Sequence, residues 1–336
     1  ISLYRKLLII PWLIGLVLAG AALAAERRPR ARHVPLGIAI GILVTSLVAP
    51  DLNAAWTAPE RPNRSSPSAP ASAPDVLLVV LDTVRADHVG AYGYARETTP
   101  TFDALAAEGG LFEDATAPAT WSLPAHASLF TGRFVASHGA HEEHRALGAE
   151  YATIAEVFAA AGYDTRCFTA NAWINDALGL TRGFVWSDES WRRGDAGLTR
   201  LYAFRLLERL GLGPEDKGGG AVAASFEDWA RTTPRSEGPT FAFVNFVEAH
   251  FPYHQVPEPF LRRFTNADHG ELRTLSYSLL EAQFGGVAPD PERASEPAIA
   301  MYDAGVAYAD HLLGRLIEAL RARGTIDRTL IVVVSD

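Results

Sequence analysis

The sequence predicts an α/β fold, a mainly parallel sheet held between helices, and three stretches carry the prediction. Val76 to Leu81 is an unbroken apolar run that ends on Asp82. Thr240 to Val247 is a second run, leading into Glu248-Ala249-His250, and Leu330 to Ser335 is a third, ending on Asp336. Valine-rich runs of this length fit strands buried on both faces, as in parallel sheets. Segments with helical spacing lie between them, the alternation that builds such a sheet. Ligands of open α/β sheets bind beyond the carboxyl ends of the strands. Asp82, His250 and Asp336 therefore fall where chemistry is expected.

The chain has 336 residues, 48% of them hydrophobic, enough for one large domain and a small appendage. A single cysteine, Cys167, excludes an internal disulfide. Net charge is −9, which argues against nucleic acid as a partner. The charge is uneven: residues 1–74 carry 8 basic and 3 acidic side chains, +5, so the remainder carries −14.

Leu7 to Ala25 is free of charged residues and long enough to cross a bilayer core of roughly 30 Å. Val34 to Ala49 is a second apolar run, extended past Leu52 toward Trp56 as an interface anchor. The expectation is a transmembrane hairpin over 1–56, with helices at about 7–25 and 34–52. Four arginines between the runs, Arg27, Arg28, Arg30 and Arg32, place that loop in the cytoplasm and everything after Pro50 outside it. Thr57 to Pro74, with five prolines and four serines, is an extended linker. The catalytic domain is expected over 75–336. The expectation, from the initial Ile and the stop at Asp336, is a fragment at both ends with its C-terminal part missing.

Within the domain, Thr98 to Thr101 opens a helix closed by Gly109-Gly110, and Leu111 to Ala115 is expected as a short strand. Pro124 suits a first helical turn, with Ser122 at the cap and Ala125 to Thr131 helical. Free N–H groups there favour an anion. Tyr151 to Ala161 is helical, and Thr165 to Ala170 is a strand delivering Asn171 to the sheet edge. Gly179 to Trp191 is expected as an aromatic loop, Leu198 to Leu210 and Ala221 to Arg231 as helices, and 257–286 as loop with a short helix. Ile299 to Arg323 is a long amphipathic helix.

Two motifs resemble the sulfatase family of the alkaline phosphatase superfamily. Leu81 to His88 resembles its opening strand. Ser122-Leu123-Pro124-Ala125-His126, followed by Leu129 to Gly132, resembles its nucleophile signature, with His126 where the family has Arg. His138-Gly139 and His250-Phe251-Pro252 resemble two further family turns. The resemblance implies an alkaline-phosphatase-like mixed, mainly parallel sheet. It makes Ser122 the nucleophile or formylglycine precursor, with His126 and His250 beside it as catalytic residues. Asp82, Asp336 and Ser122 become metal ligands. Asn171, standing where many members carry a lysine on the sulfate, becomes a substrate contact, and His138 stands equally for a structural or a ligand-facing role.

The metal implied is calcium, or zinc or manganese if a His follows Asp336. Thr83 replaces a second acidic ligand, and conversion of Ser122 to formylglycine is left open because its maturation reads the Arg that His126 replaces. The leading expectation is a membrane-anchored, metal-dependent hydrolase of sulfate esters working outside the cytoplasm. A phosphoester hydrolase or phosphoethanolamine-type transferase is the second, and a catalytically silent tethered binding protein the third. The alcohol carried by the ester, and the oligomeric state, are not legible.

Overall fold

A computed structural model describes residues 69–70, 72–190, 215–234, 238–283 and 285–336. All of them belong to one compact unit, Arg61–Trp191 with Pro214–Asp336. The expected transmembrane hairpin, most of the linker and the 198–210 helix lie outside the described residues. Among the described residues no helix is long and apolar enough to cross a membrane.

Five strands form one sheet: β1 (Asp75–Leu81), β2 (Asp164–Thr169), β3 (Trp186–Glu189), β4 (Thr240–Phe246) and β5 (Thr329–Val334). Their order is β3-β2-β4-β1-β5, and every pairing among them is parallel. The register aligns Val80 with Asn245 on β4 and with Val334 on β5, and Asn245 with Thr169 on β2.

Side chains alternate across a strand, and here both alternate sets are covered. Leu77, Val79 and Leu81 join Ala242, Val244 and Phe246 in one core, while Leu78 and Val80 join Phe241 and Phe243 in another. That double burial explains why the strands read as continuous apolar runs. The helices are α1 (Pro100–Glu108), α2 (Ser122–Thr131), α3 (Val135–His138), α4 (Ile154–Ala160), α5 (Gly219–Thr232), α6 (Glu258–Leu261), α7 (His269–Gln283) and α8 (Pro291–Arg323). α5 and α8 cover the first face with Phe226, Leu312 and Leu316, each fully buried. Every such side chain contributes about 1.5–3 kcal/mol of burial. α2 and α4 cover the second face with Leu123, Ala127, Phe130 and Ala155.

The helix ends follow local chemistry. Thr153 and Glu156 form a reciprocal capping box at α4, so that helix starts two to three residues later than Tyr151 suggests. α2 closes at Gly132, whose φ of 65° lies in the left-handed region that favours glycine. Asp290 caps α8 by accepting from Glu292 N, which starts it eight residues before Ile299.

Three expectations are corrected. Leu111 to Ala115 forms no strand: Phe112 is exposed and its carbonyl accepts from the Tyr92 hydroxyl instead of a ladder partner. The aromatic segment 179–191 is not all loop, since Trp186 to Glu189 is edge strand β3, paired with β2. The 257–286 segment holds two helices, α7 running 15 residues.

Candidate active site

β1 ends at Leu81 and delivers Asp82, which is 1% exposed. Thr83 follows at φ 59°, a left-handed conformation that is unfavourable for a β-branched residue. Neighbouring groups hold it there. Its N–H donates to Asp336 Oδ1 at 3.1 Å, and its carbonyl accepts from the Tyr302 hydroxyl of α8 at 2.7 Å. The same hydroxyl accepts from Arg85 N at 2.9 Å. One residue on, buried Asp303 accepts from His88 Nδ1 and the Tyr94 hydroxyl, each at 2.7 Å, and from Arg96 Nη1 at 2.9 Å. α8 thus clamps the whole loop that leaves β1.

Ser122 is the first residue of α2, with Trp121 as its cap, one position from the expected arrangement. Asn171 lies beyond the end of β2 and its side-chain amide spans the site. Its Nδ2 donates to Asp82 Oδ2 at 2.7 Å and to Ser122 Oγ at 3.0 Å. Its Oδ1 accepts from Trp173 N at 2.9 Å, which fixes which way the amide faces. His126 is fully buried one turn along α2. Its Nδ1 donates to the Ser122 carbonyl at 2.9 Å and lies 3.4 Å from Asp336 Oδ2. The ring therefore meets Ser122 through its backbone, not its hydroxyl.

Burial pushes the Asp82 carboxyl above its ordinary range, and the Asp336 carboxylate adds to the shift. His126, His250 and the Asn171 bond oppose it, so His250 also acts on this carboxylate. His250 sits in the turn after β4, where its Nδ1 donates to the Phe251 carbonyl at 2.6 Å. That turn is anchored by half-buried Lys217, whose Nζ donates to the carbonyls of Glu248 at 2.8 Å and Gln255 at 3.1 Å. The Glu248 carboxylate accepts from Gly219 N at 2.8 Å.

The structure brings Asp82, Ser122, His126, Asn171 and Asp336 together, with His250 in electrostatic reach. His138 is engaged elsewhere: Nδ1 accepts from Ala140 N at 3.1 Å and Nε2 donates to Ser128 Oγ at 2.8 Å, bracing α2. Burial lowers the pKa of its ring. Sequence patterns did not single out Tyr302 or Asn245, and gave Thr83 only as the residue in place of a second acidic ligand. Asn245 is fully buried in β4, and neither polar atom of its side chain has a hydrogen-bond partner among the described residues. A separate grouping of His141, Glu143 and His144, with candidate ligand atoms within 4.8 Å of one another, was not singled out by the sequence either.

The chain is 23% identical over 311 residues to an arylsulfatase of Klebsiella aerogenes, covering 78% of this chain and 66% of that protein. It is 37% identical over 103 residues to arylsulfatase A of Bos taurus, covering 29% of this chain and 20% of that one. Among solved structures it is similar to the phosphonate monoester hydrolase of Agrobacterium radiobacter, at TM-score 0.60 and 26% identity, covering 78% of this chain and 62% of that one. The C-terminal periplasmic domain of EcEptC from Escherichia coli, solved with Zn, shares the fold at TM-score 0.53 and 17% identity, covering 82% and 65%. The chain thus spans less than two thirds of the length of these relatives. The Sulfatase family profile matches residues 74–336, the stretch that carries every residue of the site, and the chain belongs to the sulfatase family.

Proposed function

We propose that residues 75–336 are the catalytic part of a membrane-anchored, metal-dependent hydrolase that cleaves sulfate esters outside the cytoplasm. The observation that carries the reading is the Asn171 amide bridging a buried carboxylate, Asp82, and a helix-terminal hydroxyl, Ser122. The anchor and the location rest on the two apolar runs and the arginine loop between them.

The donor set fits a divalent cation. Asp82 Oδ1 is buried with no hydrogen-bond partner among the described residues, and its carboxylate shares the site with that of Asp336. Asp82, Asp336 and Ser122 would hold the ion, all through oxygen, which suits calcium, magnesium or manganese; an imidazole following Asp336 would favour zinc or manganese. Such an ion supplies charge neutralisation and polarises ester oxygens. Ser122 Oγ is the attacking atom or the precursor of one. Asn171 Nδ2 donates to that oxygen and to Asp82, so it stabilises negative charge on both. His126 orients Asp336 and the first turn of α2. His250 faces the ester group, and His138 supports the helix beneath it.

A phosphate or phosphonate ester is the second reading. It is favoured by the intact hydroxyl with His126 in place of the family's Arg, and by the likeness to the phosphonate monoester hydrolase. Mass spectrometry of the Ser122 peptide, beside turnover of an aryl sulfate and an aryl phosphate, separates the two. A peptide two hydrogens lighter, with sulfate the faster substrate, supports the first. An unmodified serine with phosphate faster replaces it by the second. Binding of either ester without turnover leaves the silent binding protein.

A further inference from the structure

α3 ends at His138 and α4 starts at Ile154, and the connection between them carries the run His141-Glu142-Glu143-His144. Both sides of this run are tied down. Ala140 is fully buried, and its N–H donates to His138 Nδ1 at 3.1 Å. Leu147 is buried in the core under α2 and α4, and its N–H donates to the Leu178 carbonyl at 2.9 Å. Between these anchors the backbone closes on itself. His144 N donates to the His141 carbonyl, and His141 N to the His144 carbonyl, each at 3.1 Å. The first of these is the bond of a β-turn, and the second locks it.

Three side chains of the turn gather around one point. His141, Glu143 and His144 each offer a ligand atom, and these atoms lie within 4.8 Å of one another. The two imidazole rings stand edge to face, with centroids 5.4 Å apart. His141 Nδ1 accepts from Glu143 N at 3.3 Å, a long bond. An ion that took this lone pair would release the Glu143 amide to surface water. Glu143 has no salt-bridge partner among the described residues, and Arg145 beside the turn is directed to the Glu142 carbonyl, with Nε at 3.2 Å. An exposed Glu by itself is an ordinary solvated side chain. Two imidazoles brought to it by a backbone pinned at both ends set this turn apart.

The donor set says which ion fits. Two ring nitrogens and one carboxylate oxygen are a zinc set, with water in the fourth position. Calcium takes six to eight oxygens and magnesium a near-ideal octahedron, so neither suits it. Ligands held at about 2.0–2.2 Å in a tetrahedron lie about 3.4 Å apart. Glu143 and His144 are exposed, and rotation of their side chains closes that difference. His138 is no fourth ligand, because both its nitrogens are engaged, with Ser128 and with Ala140.

We propose that His141, Glu143 and His144 form a zinc site that locks the connection between α3 and α4, separate from the centre at Asp82 and Asp336. Its ligands share no residue with that centre. The connection reaches α2 through His138 and Ser128, which lies ~9 Å along the helix from Ser122. The proposal does not rest on any reading of the reaction.

The test compares full-length wild type, carrying no affinity tag, with His144→Ala. His144 is exposed and contributes only backbone atoms to the closure of the turn, so the variant keeps those bonds. Both proteins are given zinc in slight excess over protein and calcium in large excess, then desalted, and the zinc retained per chain is counted. Wild type is expected to retain one zinc more than the variant, and zinc to raise its melting temperature by more. Equal zinc in the two proteins would overturn the proposal. Both carry the same Asp82 centre, so a failed reading of that centre changes both counts alike and leaves the difference intact. Crystals of wild type soaked in zinc give a second readout. An anomalous peak within about 2.0–2.2 Å of ligand atoms from all three residues supports the site. No peak, or a peak that a neighbouring molecule completes, means an adventitious ion only and overturns it.

Discussion

Asn171 links the two atoms on which the chemistry depends, and its own orientation is fixed by Trp173 N. Asn171→Ala leaves Asp82 Oδ2 and Ser122 Oγ without that donor. The expected cost is about 1.5–3 kcal/mol of stability, the range for a hydrogen bond to a charged group, read by urea unfolding, with kcat falling by about 10²-fold or more. Asp82 offers a second test. Its carboxyl pKa is raised in the fold, so the folded state binds more protons than the unfolded one above pH 3.8, and stability falls as pH rises through that window. Metal-free Asp82→Asn should therefore melt at or above wild type at pH 7, yet lose the upward shift that a divalent cation gives wild type. A melting temperature well below wild type without metal would contradict this account of the carboxylate. The positions of Asp82, Ser122, Asn171 and Asp336 were legible because each ends an apolar run or opens a helix, while their roles came from the family resemblance. Asn245 was not legible, because it lies inside a strand and only the register shows which face it takes.

At the scale of elements, α8 and the turn after β4 do the positioning. Tyr302 holds Thr83 in its left-handed conformation by accepting from Arg85 N and donating to Thr83 O. Tyr302→Phe should leave the helix intact and relax that backbone, misplacing Thr83 N from Asp336. The expected result is a loss of about 10-fold or more in divalent-cation affinity, measured by calorimetry, with a small change in melting temperature. The turn carrying His250 depends on a pair of side chains, with burial raising the pKa of Glu248 to about 7 and lowering that of Lys217. A raised carboxyl pKa means that folding takes up a proton between pH 4.5 and about 7, so this group's contribution to stability declines as pH rises across that range. Glu248→Gln removes the decline. The difference in unfolding free energy between wild type and variant should change steadily from pH 4.5 to 7, and a flat difference would show that Glu248 has no such shift. Neither device was readable in advance. Tyr302 lies inside the long amphipathic helix, where an aromatic side chain reads as packing, and Lys217 stands before three glycines, Gly218 to Gly220, with no motif around it. The strand expected at Leu111 failed because apolar residues with no ladder beside them do not make a strand, while β3 was hidden because this edge strand keeps polar side chains, Ser187 and Asp188.

For the whole molecule, the sequence made the layer order legible through β1, apolar from Val76 to Leu81, and β4, apolar from Phe241 to Phe246 apart from Asn245, as strands covered on both faces are. The topology before residue 75 is a separate matter of charge and hydropathy. Reporter fusions after residue 74 are expected to register outside the cytoplasm and fusions near Arg30 inside, and the opposite pattern would remove the extracytoplasmic reading. The most direct test of the site itself is turnover per folded molecule of Ser122→Ala in the full-length, metal-loaded protein, on whichever of aryl sulfate or aryl phosphate wild type cleaves faster. Removing the attacking group should lower kcat by several orders of magnitude, while the melting temperature moves by no more than the loss of one hydrogen bond explains. A Ser122→Ala protein that melts like wild type and keeps near-normal turnover would contradict the assignment and leave Ser122 as the first residue of a helix.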